Sequence, residues 1–518
     1  MEPICPQQDA LSPKIHHNLA EGLDDIYQSA EFKLKAVHWL SGAVQIPTES
    51  YDHMFDVGFD KRWEVFGRFH DYLYTAFPLI HETLELTKVN TYGLVYRWPG
   101  SDSSLKPLLL LAHQDVVPVN NATLSEWTYP PYSGHFDGEY VWGRGASDDK
   151  SGLISSLIAL EGLVEQGFKP RRSIFLASGF DEEASGTFGA QSIAKYLSST
   201  YGENYFAMLV DEGNTHKESF GAHLFAPGVG EKGNIDVRIE VTSPGGHSSI
   251  PPPHTSIGLL ALALVHIEEN PHAPHLTRTS PLYSTWLCQA EHAPHIPWTL
   301  KEALKLSVHS DASLRLAEDL LFRREDAGLD KALLGTTQAV DLIEGGVKVN
   351  ALPEQASAVI NHRVSTDSSI ADVFEHLTDL LAPLAGKLQL SFEAFGKNIS
   401  YAPGGTLRLF DAWGKGLEPA PITPTDAAPF KLLSGTILQT WETGNGKGSN
   451  ETVIVAPGMM SDTRYFWKLT PHIFRYNHLD NEDRLAVHTV NEALSIKGFL
   501  DEIRFFTYLI LNADEVQL

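Results

Sequence analysis

Pro107-Leu-Leu-Leu-Leu-Ala-His113-Gln-Asp115 is an unbroken apolar run that ends in a histidine and an aspartate. A run this short, with Lys106 before it and His113 after it, fits a strand buried on both faces of a mixed or parallel sheet. Two similar runs follow. Ser173-Ile-Phe-Leu-Ala-Ser178 leads into Asp181-Glu182-Glu183, and Phe206-Ala-Met-Leu-Val210 leads into Asp211-Glu212. Helical spacing fills the intervals, over Ser151 to Val164 and Ser185 to Leu197. Strand–helix–strand alternation implies an α/β layer sandwich, whose ligands sit beyond the carboxyl ends of the strands. Each of the three runs ends in an acidic or histidine-bearing motif.

Outward from this centre, Phe32 to Trp39 and Trp63 to Phe77 have the spacing of amphipathic helices, and Gly93 to Trp98 reads as a strand. From about Lys232 the texture changes. Gly233 to Val241, Val347 to Asn350 and Ala356 to Val364 alternate like strands with one solvated face, around a Pro/His-rich segment from Asn270 to Pro297. Thr452 to Ala456 then restores the buried-strand pattern. The chain is therefore divided into a polar N-terminal arm (1–30), a larger α/β domain in two parts (31–231 and 399–518) and a smaller α+β domain (232–398) inserted between them.

The chain has 518 residues, enough for two to four domains, with 42% hydrophobic and 20% charged residues, as in folded proteins. Lys+Arg 39 against Asp+Glu 65 leaves a net charge of −26, which argues against nucleic acid or an anionic membrane as a long-range partner. Cys5 and Cys288 are too few for a disulfide framework, and no Cys-x-x-Cys signature exists. Any metal must be held by carboxylates and by some of the 23 histidines. Neither a signal-peptide core nor a run of about 18 apolar residues is visible. Sequons at Asn121, Asn398 and Asn450 lean weakly towards a secretory route.

The chemistry lies in His113-Gln-Asp115, Asp148-Asp149, Asp181-Glu182-Glu183, Asp211-Glu212 and a late His488. Carboxylates converging in a low-dielectric cleft repel one another unless a cation neutralises them. Two His and three carboxylates would satisfy a pair of zinc ions bridged by an aspartate. Residues i and i+2 of an extended segment share a face, so Asp115 can orient His113 through its second ring nitrogen. Glu182 and Glu183 point in different directions, so one can ligate while the other serves as general base.

Five blocks carry a resemblance: Leu-Ala-His113-Gln-Asp-Val-Val-Pro-Val, Val-Trp-Gly-Arg-Gly-Ala-Ser-Asp148-Asp-Lys, Gly-Phe-Asp-Glu182-Glu183-Ala-Ser-Gly-Thr, Gly-Gly-His247-Ser-Ser-Ile-Pro-Pro and Gly-Gly-Val-Lys-Val-Asn350-Ala-Leu-Pro. They are similar to the co-catalytic zinc metallopeptidases, the family of fungal vacuolar carboxypeptidase S, aminoacylase, bacterial glutamate carboxypeptidase and carnosinase. The likeness is strongest to carboxypeptidase S and to animal relatives that make and cleave N-acyl amino acids. It implies a three-layer α/β zinc-peptidase domain with an inserted α+β, ferredoxin-like lid and dimerisation domain.

The resemblance also implies roles. His113 and Asp211 would hold one zinc ion, Glu183 and His488 the other, with Asp148 bridging. Glu182 would be the base, Asp115 would orient His113, and His247 would stabilise the oxyanion. Asn350, Arg363 and Arg464 would hold the substrate, including its carboxylate. Asp149 stands where relatives vary, so its acid is read as incidental or supporting. The expected reaction is hydrolysis of the amide before a C-terminal amino acid, in small peptides or N-acyl amino acids; the alternative is the same site forming that amide. The lid domain's open sheet edge offers one assembly, a homodimer; the alternative is a monomer in which the long segment from about 270 to 335 covers that edge. The expected location is cytoplasmic if the chain is complete, and a vacuolar or secretory lumen if an N-terminal anchor was removed.

Overall fold

The computed structural model describes residues 3–445, 451–459 and 463–518. Two compact units make up the chain. The first comprises Met1–Val229, Leu287–Ile296 and Thr423–Leu518, the second Gly230–Trp286 and Pro297–Ile422.

In the first unit the apolar run is the strand Leu108–His113, buried at every position. Its period of two sends Leu108 and Leu110 to one face, in a cluster with Leu153, Leu157, Phe505 and Leu509. Leu109 and Leu111 go to the other face, with Phe175, Ile193, Leu197 and Leu209. Helices Lys150–Glu165 and Ile496–Glu515 supply the first cluster, and Ala190–Tyr201 the second. Each buried leucine contributes about 1.5–3 kcal/mol, so this strand is fixed from both sides. It runs parallel to Ile174–Gly179 on one side and to Met208–Ser219 on the other, and Ile473–Asp480 extends the parallel set. Beyond Ile174–Gly179, Gly93–Trp98 and Glu85–Val89 close the opposite edge antiparallel. Register pairs His113 with Gly179, so these two strands end level.

Several expectations are corrected here. Asp211-Glu212 does not follow a strand end: it lies within the 12-residue strand Met208–Ser219, although the ladder of that strand to Leu108–Leu110 stops at Val210. The helix expected from Ser185 begins at Ala190, because Ser185 (φ 79°) and Gly186 (φ 67°) adopt left-handed backbone that interrupts it. The segment 1–30 is more than an arm. Helix His17–Tyr27 buries Ala20, Leu23, Asp24 and Tyr27, and Asp24 accepts from Arg504 Nε at 2.9 Å and from the Tyr508 hydroxyl. The two cysteines make no framework, but they do form a single bridge, Cys5–Cys288, within the first unit.

The second unit holds a six-stranded sheet in the order Thr337–Gly345, Gln355–Val364, Gly233–Thr242, Thr406–Asp411, Leu390–Ala394, Lys397–Pro403. The alternation read from Gly233 onward is real: Ile235, Val237, Ile239 and Val241 pack with Leu260 and Ile267 of helix Ser256–Glu268 and with Leu377 and Leu381 of helix Ile370–Lys387. The boundary at 398 is corrected, since it would cut the strand Lys397–Pro403 and discard Thr406–Asp411, which pairs with Gly233–Thr242. Val347 to Asn350 is a turn and no strand; Val347 and Val349 have no partner strand and lie open to solvent.

Candidate active site and metal centre

His113 is the last residue of its strand, and its ring is almost fully buried. Nδ1 lies 3.0 Å from the Asp115 carbonyl oxygen and 3.3 Å from Asp115 Oδ1. That fixes the ring and turns Nε2 towards acids: Asp148 Oδ1 at 3.2 Å and Glu212 Oε1 at 3.0 Å. The other oxygen of Asp148, Oδ2, faces His488 Nε2 at 3.2 Å, and the same nitrogen lies 3.1 Å from Glu183 Oε1. Asp148 thus stands between two sets of donors, one at each oxygen. Burial opposes its ionisation, but hydrogen bonds with His113 and His488, aided by Arg484, hold its carboxyl well below the usual range. His488 is pushed up to about 10 by its hydrogen bonds with Asp148 and Glu183, against burial.

Asp115 is a hub. Its Oδ2 accepts from Ser50 Oγ at 2.6 Å and from Glu183 N at 3.0 Å, while Oδ1 accepts from Glu182 N at 3.0 Å. The short helical turn Glu182–Ala184 is anchored again at its start, where Asp181 accepts from Phe188 N at 2.6 Å and Gly189 N at 2.7 Å. His113, Glu182, Asp211 and Glu212 line one small cleft.

The loop before Asp148 is organised by Glu492, which is buried and pushed up to about 7 by that burial. It accepts from Arg144 Nη1 at 2.5 Å, Gly145 N at 2.9 Å and Ser147 N at 3.1 Å. Arg484 Nε donates to Ser147 Oγ at 2.7 Å. Asp149 caps helix Lys150–Glu165 by accepting from Gly152 N at 3.2 Å, which gives its acid a structural use.

The first unit therefore gathers His113, Asp115, Asp148, Glu182, Glu183, Asp211 and His488. Sequence reasoning gave no role to four participants: Glu212, which faces His113 Nε2 at 3.0 Å, and Ser50, Glu492 and Arg484. Only Glu212 had a signal, as the neighbour of Asp211 in an extended strand. Arg464 is half-buried beside Tyr465, whose hydroxyl donates to the Ser185 carbonyl at 2.8 Å. In the second unit, His247 is exposed on the two-residue strand Gly246–His247, opposite Ala351, with Nδ1 at 2.8 Å from Ser249 Oγ. Ser248 N donates to the Asn350 carbonyl at 3.4 Å, so His247 and Asn350 are neighbours. Arg363 is not with them. It pairs with Asn234, at the opposite end of the ten-residue ladder from Thr242–Gln355, which adjoins His247.

Residues 109–512 match the model of peptidase family M20/M25/M40. Carboxypeptidase S of Saccharomyces cerevisiae is 38% identical over 99% of this chain and 89% of its own length.

The chain belongs to this peptidase family.

The mouse N-fatty-acyl-amino acid synthase/hydrolase PM20D1 is 33% identical over 94% of this chain and 89% of its own length. Human carnosine dipeptidase 1 superposes with a TM-score of 0.60 at 15% identity, covering 97% of this chain and all of that one. A metallo-carboxypeptidase from Sulfolobus solfataricus gives 0.57 at 17%, covering 93% and 99%. These structures share the fold: an α/β catalytic domain with an inserted α+β domain. The protein is a metallocarboxypeptidase, as its motifs lead one to expect. The donors present, imidazole nitrogens and carboxylate oxygens meeting within hydrogen-bond distance, suit borderline divalent metals.

Proposed function

We propose that the protein hydrolyses the amide bond before a C-terminal amino acid with a free carboxylate, in small peptides or N-acyl amino acids, with two zinc ions. The observation that carries this reading is Asp148, with one histidine 3.2 Å from each of its oxygens. His113 with the Asp211-Glu212 pair would hold one ion, His488 with Glu183 the other, and Asp148 both. Bound there, the metals would polarise the scissile carbonyl and make water more acidic.

The chain's own residues do the rest. Glu182, held at its backbone by Asp115, takes a proton from the attacking water and later gives it to the leaving amine. Asp115 keeps His113 in one tautomer. His247 and Asn350 stabilise the developing oxyanion, and Arg363 and Arg464 bind the substrate carboxylate. PM20D1 carries both synthase and hydrolase in its name, and reversal of these same steps would form the amide; excess water favours hydrolysis.

The ladder between His247 and Arg363 supports a homodimer. Thr242 to Asn234 spans eight residues, roughly 27 Å at the strand rise. One chain's His247 and Arg363 therefore cannot meet on one small substrate, whereas two copies can each supply one. Strand Thr337–Gly345 is an edge of its sheet, with Leu342 and Ile343 exposed, and it offers a pairing surface. Among the described residues no helix is long and apolar enough to cross a membrane. The Cys5–Cys288 bridge and the exposed sequons at Asn121 and Asn398 favour a vacuolar or secretory lumen over the cytosol; the sequon at Asn450 lies outside the described residues.

The test is turnover of Gly-Leu, benzyloxycarbonyl-Gly-Leu and N-acyl-phenylalanine with zinc per chain measured. Near two zinc ions with hydrolysis is expected. No turnover of any of the three by metal-replete protein would overturn the reading.

A further inference from the structure

Lys150 is fully buried, and nothing in the reaction described so far uses it. Lysine is almost never enclosed so completely unless its nitrogen has partners. Here the partners are backbone: Nζ donates to the Ala43 carbonyl at 2.9 Å and to the Ile46 carbonyl at 2.6 Å, with the Phe69 ring 5.1 Å away. A methionine would fill a similar space without desolvating an amine. What the lysine adds at this position is two directed hydrogen bonds.

Both carbonyls lie where helix Ala30–Val44 ends, and the chain that follows runs alongside Gln114 to Val116. Thr48 Oγ1 donates to the Gln114 carbonyl at 2.7 Å and Val116 N to the Thr48 carbonyl at 3.0 Å. Ser50 N donates to the Val116 carbonyl at 3.2 Å, and Ser50 Oγ to Asp115 Oδ2 at 2.6 Å. Thr48 and Ser50 are buried, so these bonds are shielded from water. On its other side Lys150 stands two residues after Asp148 and opens helix Lys150–Glu165. Gly145, in the loop before Asp148, lies against the same side chain: a Cβ there would collide with Val116 and come within 3.3 Å of Lys150 Cδ. One side chain thus joins the segment that holds Asp115, and through it His113, to the loop that presents Asp148.

We propose that Lys150 is a positioning residue of the metal centre. Its two hydrogen bonds set how far Asp148 stands from His113 and Asp115, and so how tightly an ion shared by His113 and Asp148 is held. This rests on the two-metal reading above. Lys150 itself ligates nothing; it acts through residues 46–50 and the loop before Asp148.

The experiment is Zn²⁺ affinity, read by competition with a chelator, for wild type, Lys150→Met, Ser50→Ala, their double variant and Leu163→Ala. Leu163 is buried near the far end of the same helix, so its truncation destabilises the protein without touching this network. Lys150→Met is expected to weaken zinc binding about 10–100-fold, as loss of a residue that supports a metal ligand does, and Leu163→Ala less than about twofold. The double variant should lose less than the product of the two single losses, because both substitutions break one connection. Zinc affinity of Lys150→Met within about twofold of wild type, an equal loss in Leu163→Ala, or single losses that simply multiply would overturn the proposal. If Lys150→Met does not fold, Thr48→Val, which keeps the shape and removes the donor to Gln114, decides in its place by the same measure. Wild-type protein that binds no zinc sinks the two-metal reading and this proposal with it, whereas zinc binding indifferent to Lys150 sinks the proposal alone.

Discussion

Asp115 and Glu182 are joined through the backbone: Asp115 Oδ1 accepts the Glu182 N–H at 3.0 Å, and Oδ2 accepts that of Glu183 at the same distance. One carboxylate therefore sets the direction of the proposed base, of a proposed metal ligand and, through Nδ1, of His113. Asp115→Asn would turn an amide N–H₂ towards one of those donors. We expect turnover to fall about 10–100-fold, with bound metal reduced less than turnover. Metal analysis beside steady-state kinetics checks it, and turnover near wild type would remove Asp115 from this role.

Glu182→Gln should fold, keep its metal and lose about 10²–10⁴ in turnover or more, because the amide preserves shape but cannot accept a proton. Its backbone N–H still reaches Asp115, so the turn should survive. Turnover within about tenfold of wild type would contradict the assignment of the base.

Metal content should divide the histidines. His113 and His488 reach the two oxygens of Asp148, so His113→Ala or His488→Ala should purify with less zinc and lose activity. His247 belongs to the other unit, so His247→Ala should keep its metal and lose turnover. A chelator should inactivate the wild type, and added Zn²⁺ should restore it. Zinc loss in His247→Ala would break this division.

What the sequence disclosed follows from locality. Leu108 to Leu111 declare a doubly buried strand because both faces need apolar side chains, and the acids after each run follow directly in the chain. That Glu212 faces His113 has a tertiary cause: the strand that carries it continues past the end of its ladder with Leu108–Leu110. Ser50 lies 65 residues from Asp115, and Glu492 lies 348 from Arg144; no local pattern marks either. Helix His17–Tyr27 was hidden because its buried face includes Asp24, whose use is apparent only once Arg504 and Tyr508 are seen beside it.

The second unit carries a histidine cluster that should make its stability depend on pH. His272 and His376 stack with ring centroids 4.1 Å apart, and His362 lies 5.7 Å from His272. Burial first, then the neighbouring histidines, push His272 and His362 down to about 4. At His362 the hydrogen bond to the Ile360 carbonyl opposes this first, then that to Ile235 and the charge of Asp236. Below the ordinary histidine value of about 6.5 the unfolded chain takes up protons that the folded unit refuses. Stability is therefore full above that value, falls as pH drops, and has lost this contribution below about 4. The loss should be on the order of 2–3 kcal/mol for the buried His362 and smaller for the partly exposed His272, where solvent screens the charge. Thermal unfolding of the full chain between pH 7.5 and 4.5 reads it, and the comparison that isolates it is His362→Gln, which cannot titrate. The melting temperature of that variant should depend less steeply on pH than wild type; an equal slope would show that the cluster does not set acid stability.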